Sequence, residues 1–228
     1  MSFLPQDMAM VKRLVVKDWQ VYQKQLAGYV AGLLLALSLM GLAKPWSFSA
    51  GALLLVVLMV TLGSYAVSAL LVAERKEQTV PFIMSLPVTP LDFYWGKLLG
   101  NLAVYGVPFL LVAGGSTALI LLTELPDGLL VYAWLVFTFM LATYCVQLCV
   151  AIVVQSEGWI TFTLLALMTL LGPYMYAAAR LPGVAENLRG DTIAFSPVVL
   201  AVLAAQLLVI AAVIAATSVL HSRKTSFL

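Results

Sequence analysis

Apolar positions in this chain do not alternate with polar ones; they run uninterrupted for lengths that match a bilayer core. Between clusters of charge lie six uncharged stretches, at 25–43, 45–73, 98–123, 128–156, 158–179 and 192–222. Crossing the hydrocarbon takes about 20 apolar residues in a helix, whereas a lipid-facing strand shows about ten residues of alternating character. The pattern therefore predicts an all-α integral membrane protein with six transmembrane helices. The expected spans are approximately 26–43, 50–73, 93–122, 129–155, 159–179 and 197–220, inside one transmembrane domain over 25–221.

The segment before the first span has a different periodicity. At about 100° per residue, Met8, Val11, Val15, Trp19 and Tyr22 fall within an arc of roughly 80°, and Arg13, Lys17 and Lys24 lie opposite. With Pro5 suited to its first turn, this segment predicts an N-terminal amphipathic helix within 1–24, lying flat at the headgroup boundary.

Composition agrees with the pattern: 63% of the 228 residues are hydrophobic and 10% charged, against about 45–50% and about 25% in soluble domains. Soluble enzymes, nucleic-acid binders and disordered chains are excluded on that ground. The basic residues are unevenly distributed. Nine of the twelve (Lys12, Arg13, Lys17, Lys24, Arg75, Lys76, Lys97, Arg223 and Lys224) fall at the termini and in the second loop, and three (Lys44, Arg180 and Arg189) in the alternate loops. The positive-inside rule then makes both termini cytoplasmic, including a tail over 222–228. The basic N-terminal stretch is too long for a cleaved signal peptide, and no small-residue cleavage pattern follows the first apolar run.

Reactive chemistry is sparse. None of the six uncharged stretches holds Asp, Glu, Lys or Arg, the groups from which proton relays and voltage sensors are built. His221, the one histidine, stands at the end of the last stretch, so neither a zinc site nor a Ser–His pair is expected within the membrane. Cys145 and Cys149 share a helix face and read as small buried residues. No phosphate-binding loop is present: Gly114-Gly115-Ser116-Thr117 lacks the lysine, and Gly96-Lys97 lacks the earlier glycine. Any ATP and Mg must therefore be held by another chain, and no cofactor is expected on this one. Uncharged polar residues remain. Tyr65, Ser68, Tyr105, Tyr144, Gln147 and Gln206 are candidates to line a substrate path, glutamines being the costlier to bury; hydrogen bonds between or within helices account for Ser and Thr equally well.

The second loop has internal structure. Glu74-Arg75-Lys76-Glu77 is followed by Thr79, which can cap a short helix carrying Phe82, Ile83 and Leu86 until Pro87 stops it. Thr89-Pro90-Leu91-Asp92 then gives a cap, a proline and an acid, a start signal for the next helix. This segment, with Leu86-Pro87-Val88-Thr89 and Lys97, resembles the signature of the ABC type-2 permease family. The six spans, the N-terminal helix and the short basic tail resemble its architecture. Where many members have Gly before the Thr, this chain has Gln78.

That resemblance implies an ABC type-2 exporter-like fold in a bacterial cytoplasmic (inner) membrane. It implies a non-catalytic permease subunit that forms the translocation path with a second permease copy, in a homo- or heterodimer, and couples to separate ATPase subunits. The coupling loop would be 74–92, with Glu74, Arg75, Lys76, Glu77, Thr79, Phe82, Ile83, Leu86 and Pro87 facing the ATPase. The outer loop over 180–196 would close the path from outside, with Leu188, Ile193 and Phe195 as gate candidates. Ser196-Pro197 is placed to open the sixth helix, and Gly172-Pro173 to kink or end the fifth. Spans without fixed charge suit amphipathic or apolar cargo such as a lipid, a hydrophobic peptide or a drug. An ATP-independent channel or scaffold is the alternative reading.

Overall fold

The computed structural model describes residues 8–73, 90–154, 156–188 and 190–222. Among them there is no strand, and six helices are each long and apolar enough to cross a membrane. Six such helices make this a multi-pass membrane protein, helical throughout its described spans.

Helix α1 spans Met8–Gly41, 34 residues without a break. At about 1.5 Å per residue it is about 51 Å long, well beyond the ~30 Å of a hydrocarbon core, so it either tilts or extends past one face. The segment expected to lie flat is thus continuous with the first span. Its packed face overlaps the projected one, with Val11 buried and Trp19 and Tyr22 packed against the core, but it also takes in Leu14 and Asp18, and Met8 is exposed. A projection by hydrophobicity assigns Asp18 to water. Instead it turns inward, because a cation waits there on another helix.

Helix α2, Pro45–Val67, starts on a proline, whose missing N–H costs nothing in a first turn. It continues as a π-helical segment, Ser68–Ala73. There the Tyr22 hydroxyl of α1 donates to Ala69 O at 2.9 Å. Helix α3, Pro90–Leu122, begins at the expected proline, with Asp92 favourably placed in its first turn. Helix α4 is Leu129–Val153 and α5 is Glu157–Ala179. The expected break at Gly172-Pro173 does not end α5, since Pro173 lies inside a helix that runs on to Ala179. Helix α6, Pro197–Ser222, opens where expected, with Ser196 Oγ accepting from Val199 N at 3.3 Å as a cap.

Helix α4 is the core. It packs against α2, α3, α5 and α6, and 67% of its most apolar window is buried, against 6% for α5. Helices α1, α2 and α3 form one packed group; α5 and α6 each lean on α4. Lipid offers no hydrophobic force between helices, so close approach must come from small residues. Gly96 and Gly100, one turn apart on α3, supply it. A Cβ on Gly96 would stand 2.7 Å from Leu14 Cδ1, and one on Gly100 3.0 Å from Asp18 Oδ2.

Candidate functional site

The residues expected to face an ATPase (Glu74, Arg75, Lys76, Glu77, Thr79, Phe82, Ile83, Leu86 and Pro87) lie outside the described residues. Of the six path candidates, three come together. Tyr105 of α3 and Tyr144 and Gln147 of α4 line one cavity of about 40 Å³ with Gly63 and Ser64 of α2, Thr143 of α4, and Leu164, Leu167, Met168 and Leu171 of α5. Helices α2 and α5 form its two sides and α4 its floor. Its walls on α5 are only partly buried, so it opens toward the surroundings of the helix bundle, which in a membrane are lipid.

Local packing explains the cavity. The Tyr105 and Tyr144 rings stack at 3.9 Å between centroids, and Gly63 admits them: a Cβ there would stand 3.1 Å from Tyr144 Cδ2 and 3.3 Å from Tyr105 Cε2. Helix α5 packs mainly on α4, leaving a gap to α2. Hydrogen bonding around the gap is unequal. Ser64 Oγ donates to Val60 O at 2.9 Å, Thr143 Oγ1 to Met140 O at 2.9 Å, and Tyr144 OH to Asn101 O at 2.9 Å. Gln147 is only 6% exposed, yet its amide makes no hydrogen bond among the described residues, nor does the Tyr105 hydroxyl. Buried amides are ordinarily satisfied.

The other three path candidates go elsewhere. Tyr65 packs its ring against Tyr22 and Tyr29 of α1, at 6.2 and 5.9 Å. Ser68 is exposed at the start of the π-helical segment. Gln206 of α6 donates through Nε2 to Tyr174 OH and, at 3.4 Å, to Leu135 O, tying α4, α5 and α6 together. Its Oε1 is buried without a partner, as are Asn101 Oδ1 and Ser116 Oγ.

Near the end of the bundle that carries both termini lies a feature the sequence did not reveal. Lys97 Nζ of α3 stands 3.2 Å from Asp18 Oδ2 of α1, with both side chains 1% exposed. The uncharged stretches excluded both residues because they were delimited by charge, but α1 and α3 are longer than those stretches and enclose the pair. Asn101 follows one turn later, its Nδ2 donating to Lys97 O at 3.0 Å. The signal available was the spacing 11, 14, 18 on α1, where a carboxylate continues an apolar stripe. At the same end, the His221 ring of α6 stacks on Tyr94 of α3 at 4.9 Å, and Tyr94 OH donates to Ile214 O at 3.3 Å.

At the opposite end, the loop over 180–196 holds turns and bends, with Gly183 at a φ of +84°. Asn187 Nδ2 donates to Gly183 O at 2.9 Å and Ser196 Oγ to Pro182 O at 3.0 Å, while Gly128 N donates to Gly190 O at 3.0 Å. Of the gate candidates, Leu188 packs against a small cluster around Val184 and Leu135; Ile193 and Phe195 are exposed. Cys145 and Cys149 are buried free thiols. Among the described residues no group of three or more His, Cys, Asp or Glu is placed to hold a metal ion.

In comparisons with known proteins, no family model, no curated protein and no solved structure matches this chain.

Proposed function

We propose that this chain is the membrane-spanning permease subunit of an ATP-driven ABC exporter. It pairs with a second permease copy, takes its energy from separate ATPase subunits, and moves amphipathic or apolar cargo. The observation that carries this reading is the segment 74–97: a charged helix end, a short apolar helix signal, Leu86-Pro87-Val88-Thr89, and a restart at Pro90. Two features support it. Helix α3 begins at Pro90, and the helices entering and leaving this end are braced by polar contacts, the buried pair Asp18–Lys97 and the part-buried bond from Tyr22 to Ala69. Such bracing suits a subunit that receives force through its loop. Orientation follows the basic residues, with both termini in the cytoplasm.

The test is association. The chain, purified gently from membranes in which it is co-produced with the ABC ATPase subunit it is proposed to pair with, is expected to retain that subunit and to stimulate its ATP turnover. Leu86→Asp places a carboxylate in the proposed docking knob, where loss of an anchor costs about 2–4 kcal/mol; association should fall more than tenfold while the chain still inserts. If Leu86→Asp kept full association, or the chain never bound an ATPase, the channel or scaffold reading would replace this one.

A further inference from the structure

The cavity between α2 and α5 is more specific than its size suggests. Its lining carries no charge, so it offers nothing to an ion. It offers a particular set of unused hydrogen-bonding groups. Ser64 and Thr143 have each spent their proton on a carbonyl of their own helix, which leaves only lone pairs facing outward. The Tyr105 hydroxyl keeps its proton, and Gln147 keeps both its N–H donors and its carbonyl acceptor. Leaving such an amide unmatched in a low-dielectric site is unfavourable. A partner that both accepts and donates removes that cost.

We propose that this cavity binds the secondary amide of an otherwise apolar molecule entering from the membrane, with Gln147 as the anchoring residue. A secondary amide matches the whole set within one planar group: its carbonyl accepts from Gln147 Nε2 and Tyr105 OH, and its N–H donates to Gln147 Oε1 or to the Ser64 and Thr143 oxygens. An ester matches only the donors, and a hydrocarbon neither. A cavity of about 40 Å³ has room for one such group, not for a whole ligand. The apolar remainder must lie in the opening along α5, against Leu164, Leu167 and Met168, with Met59 and Met140 deeper in. Thioether side chains adapt to varied shapes, so selectivity rests on the amide and tolerance on the methionines. As cargo recognition this rests on the permease reading; as a binding site it does not.

The experiment uses the full-length chain alone, in phosphatidylcholine nanodiscs, so that it is independent of any ATPase. Binding of N-decylacetamide, methyl decanoate and decane is measured by saturation-transfer NMR, together with N-acetyl-leucyl-leucine methylamide. The first and last probes separate the two sources of the chemistry, an N-acylated lipid and a hydrophobic peptide. Either amide binding about tenfold more tightly than decane supports the site, and the tighter of the two names the source. Gln147→Leu roughly keeps the side-chain volume and removes an amide that makes no hydrogen bond among the described residues, so it should fold at least as well. It should abolish the preference for amide over decane, a loss of about tenfold for two hydrogen bonds. Met168→Trp should block every probe by filling the opening. Equal binding of amide, ester and alkane, an undiminished preference in Gln147→Leu, or unaffected amide binding in Met168→Trp would each overturn the proposal. A chain that binds amides but never associates with an ATPase keeps the site and loses the exporter.

Discussion

Removing the charge of Asp18 is the sharpest test of how the two halves of the terminal end are joined. Lys97 Nζ is 3.2 Å from Asp18 Oδ2 and both side chains are 1% exposed. At that separation, and with an effective dielectric constant of about 20, the bare attraction is about 5 kcal/mol. Desolvation of two ions offsets most of it, so the net worth of the intact pair is small. Removing one partner is different, because the other charge stays buried; soluble proteins then lose about 3–5 kcal/mol. Two features lower the figure here. Lys97 sits about two turns into α3, where a lysine stem can bend toward the headgroups, and both side chains have further contacts. We therefore expect about 2–3 kcal/mol from Asp18→Leu and a similar loss from Lys97→Met. For a chain of 228 residues that is a fall in Tm of about 4–12 °C, read by tryptophan fluorescence in one detergent. The double variant Asp18→Leu/Lys97→Met replaces the pair with apolar side chains and should return to within about 1 kcal/mol of the original. Single variants with unchanged Tm, or losses that simply add in the double variant, would refute the pairing.

Two further predictions follow from packing and charge. Gly96→Val puts branched carbons where Leu14 already stands 2.7 Å from a bare Cβ, so it should separate α1 from α3 and lower stability by about 1–3 kcal/mol, whereas Gly106→Ala, with nothing within 4 Å, should be neutral by the same thermal assay. Single cysteines at Glu124 or Glu186, in a background lacking Cys145 and Cys149, should react with an impermeant maleimide in intact cells, and a cysteine at Lys12 only after the membrane is opened; the reverse pattern would invert the topology.

What could be read from the sequence was set by what each signal measures. Runs of apolar residues measure the cost of carrying charge through hydrocarbon, and all six helices appear where those runs fall. Local start signals were equally direct: Pro90 with Asp92, and Ser196 before Pro197, open α3 and α6 as written. A proline inside an apolar run was a poorer guide. In lipid the helix at Pro173 has no water to turn to, so breaking it costs more than bending it, and α5 continues. The candidate site was half legible. Tyr105, Tyr144 and Gln147 were picked as polar residues in apolar runs and do converge, but their neighbours Gly63, Ser64 and Met168 depend on which helices adjoin, and nothing in one sequence states that. Tyr65 and Gln206 looked the same in sequence and instead serve helix packing.

Asp18 and Lys97 show why charge is an incomplete guide to where a span begins. A window that stops at the first ionised residue assumes that residue faces water. When two opposite charges on different helices fall at the same depth, each can be the other's solvent, and both helices extend past the apparent boundary. Three links fasten four helix segments at the terminal end: α1 to α3 by Asp18 and Lys97, α1 to the π-helical segment by Tyr22 and Ala69, and α3 to α6 by Tyr94, with His221 and Ile214. Residues 73 and 90, the two described ends of the loop between them, therefore leave from braced helices rather than frayed ones. Under the proposed permease reading, a push on that loop would be passed on to α1, α3 and α6 together rather than absorbed at its roots. Helix α5 rests mainly on α4 and is tied to α6 through Tyr174 and Gln206, so it is less braced than α1, α3 and α6, and a shift of α5 would widen or close the gap that contains Gln147.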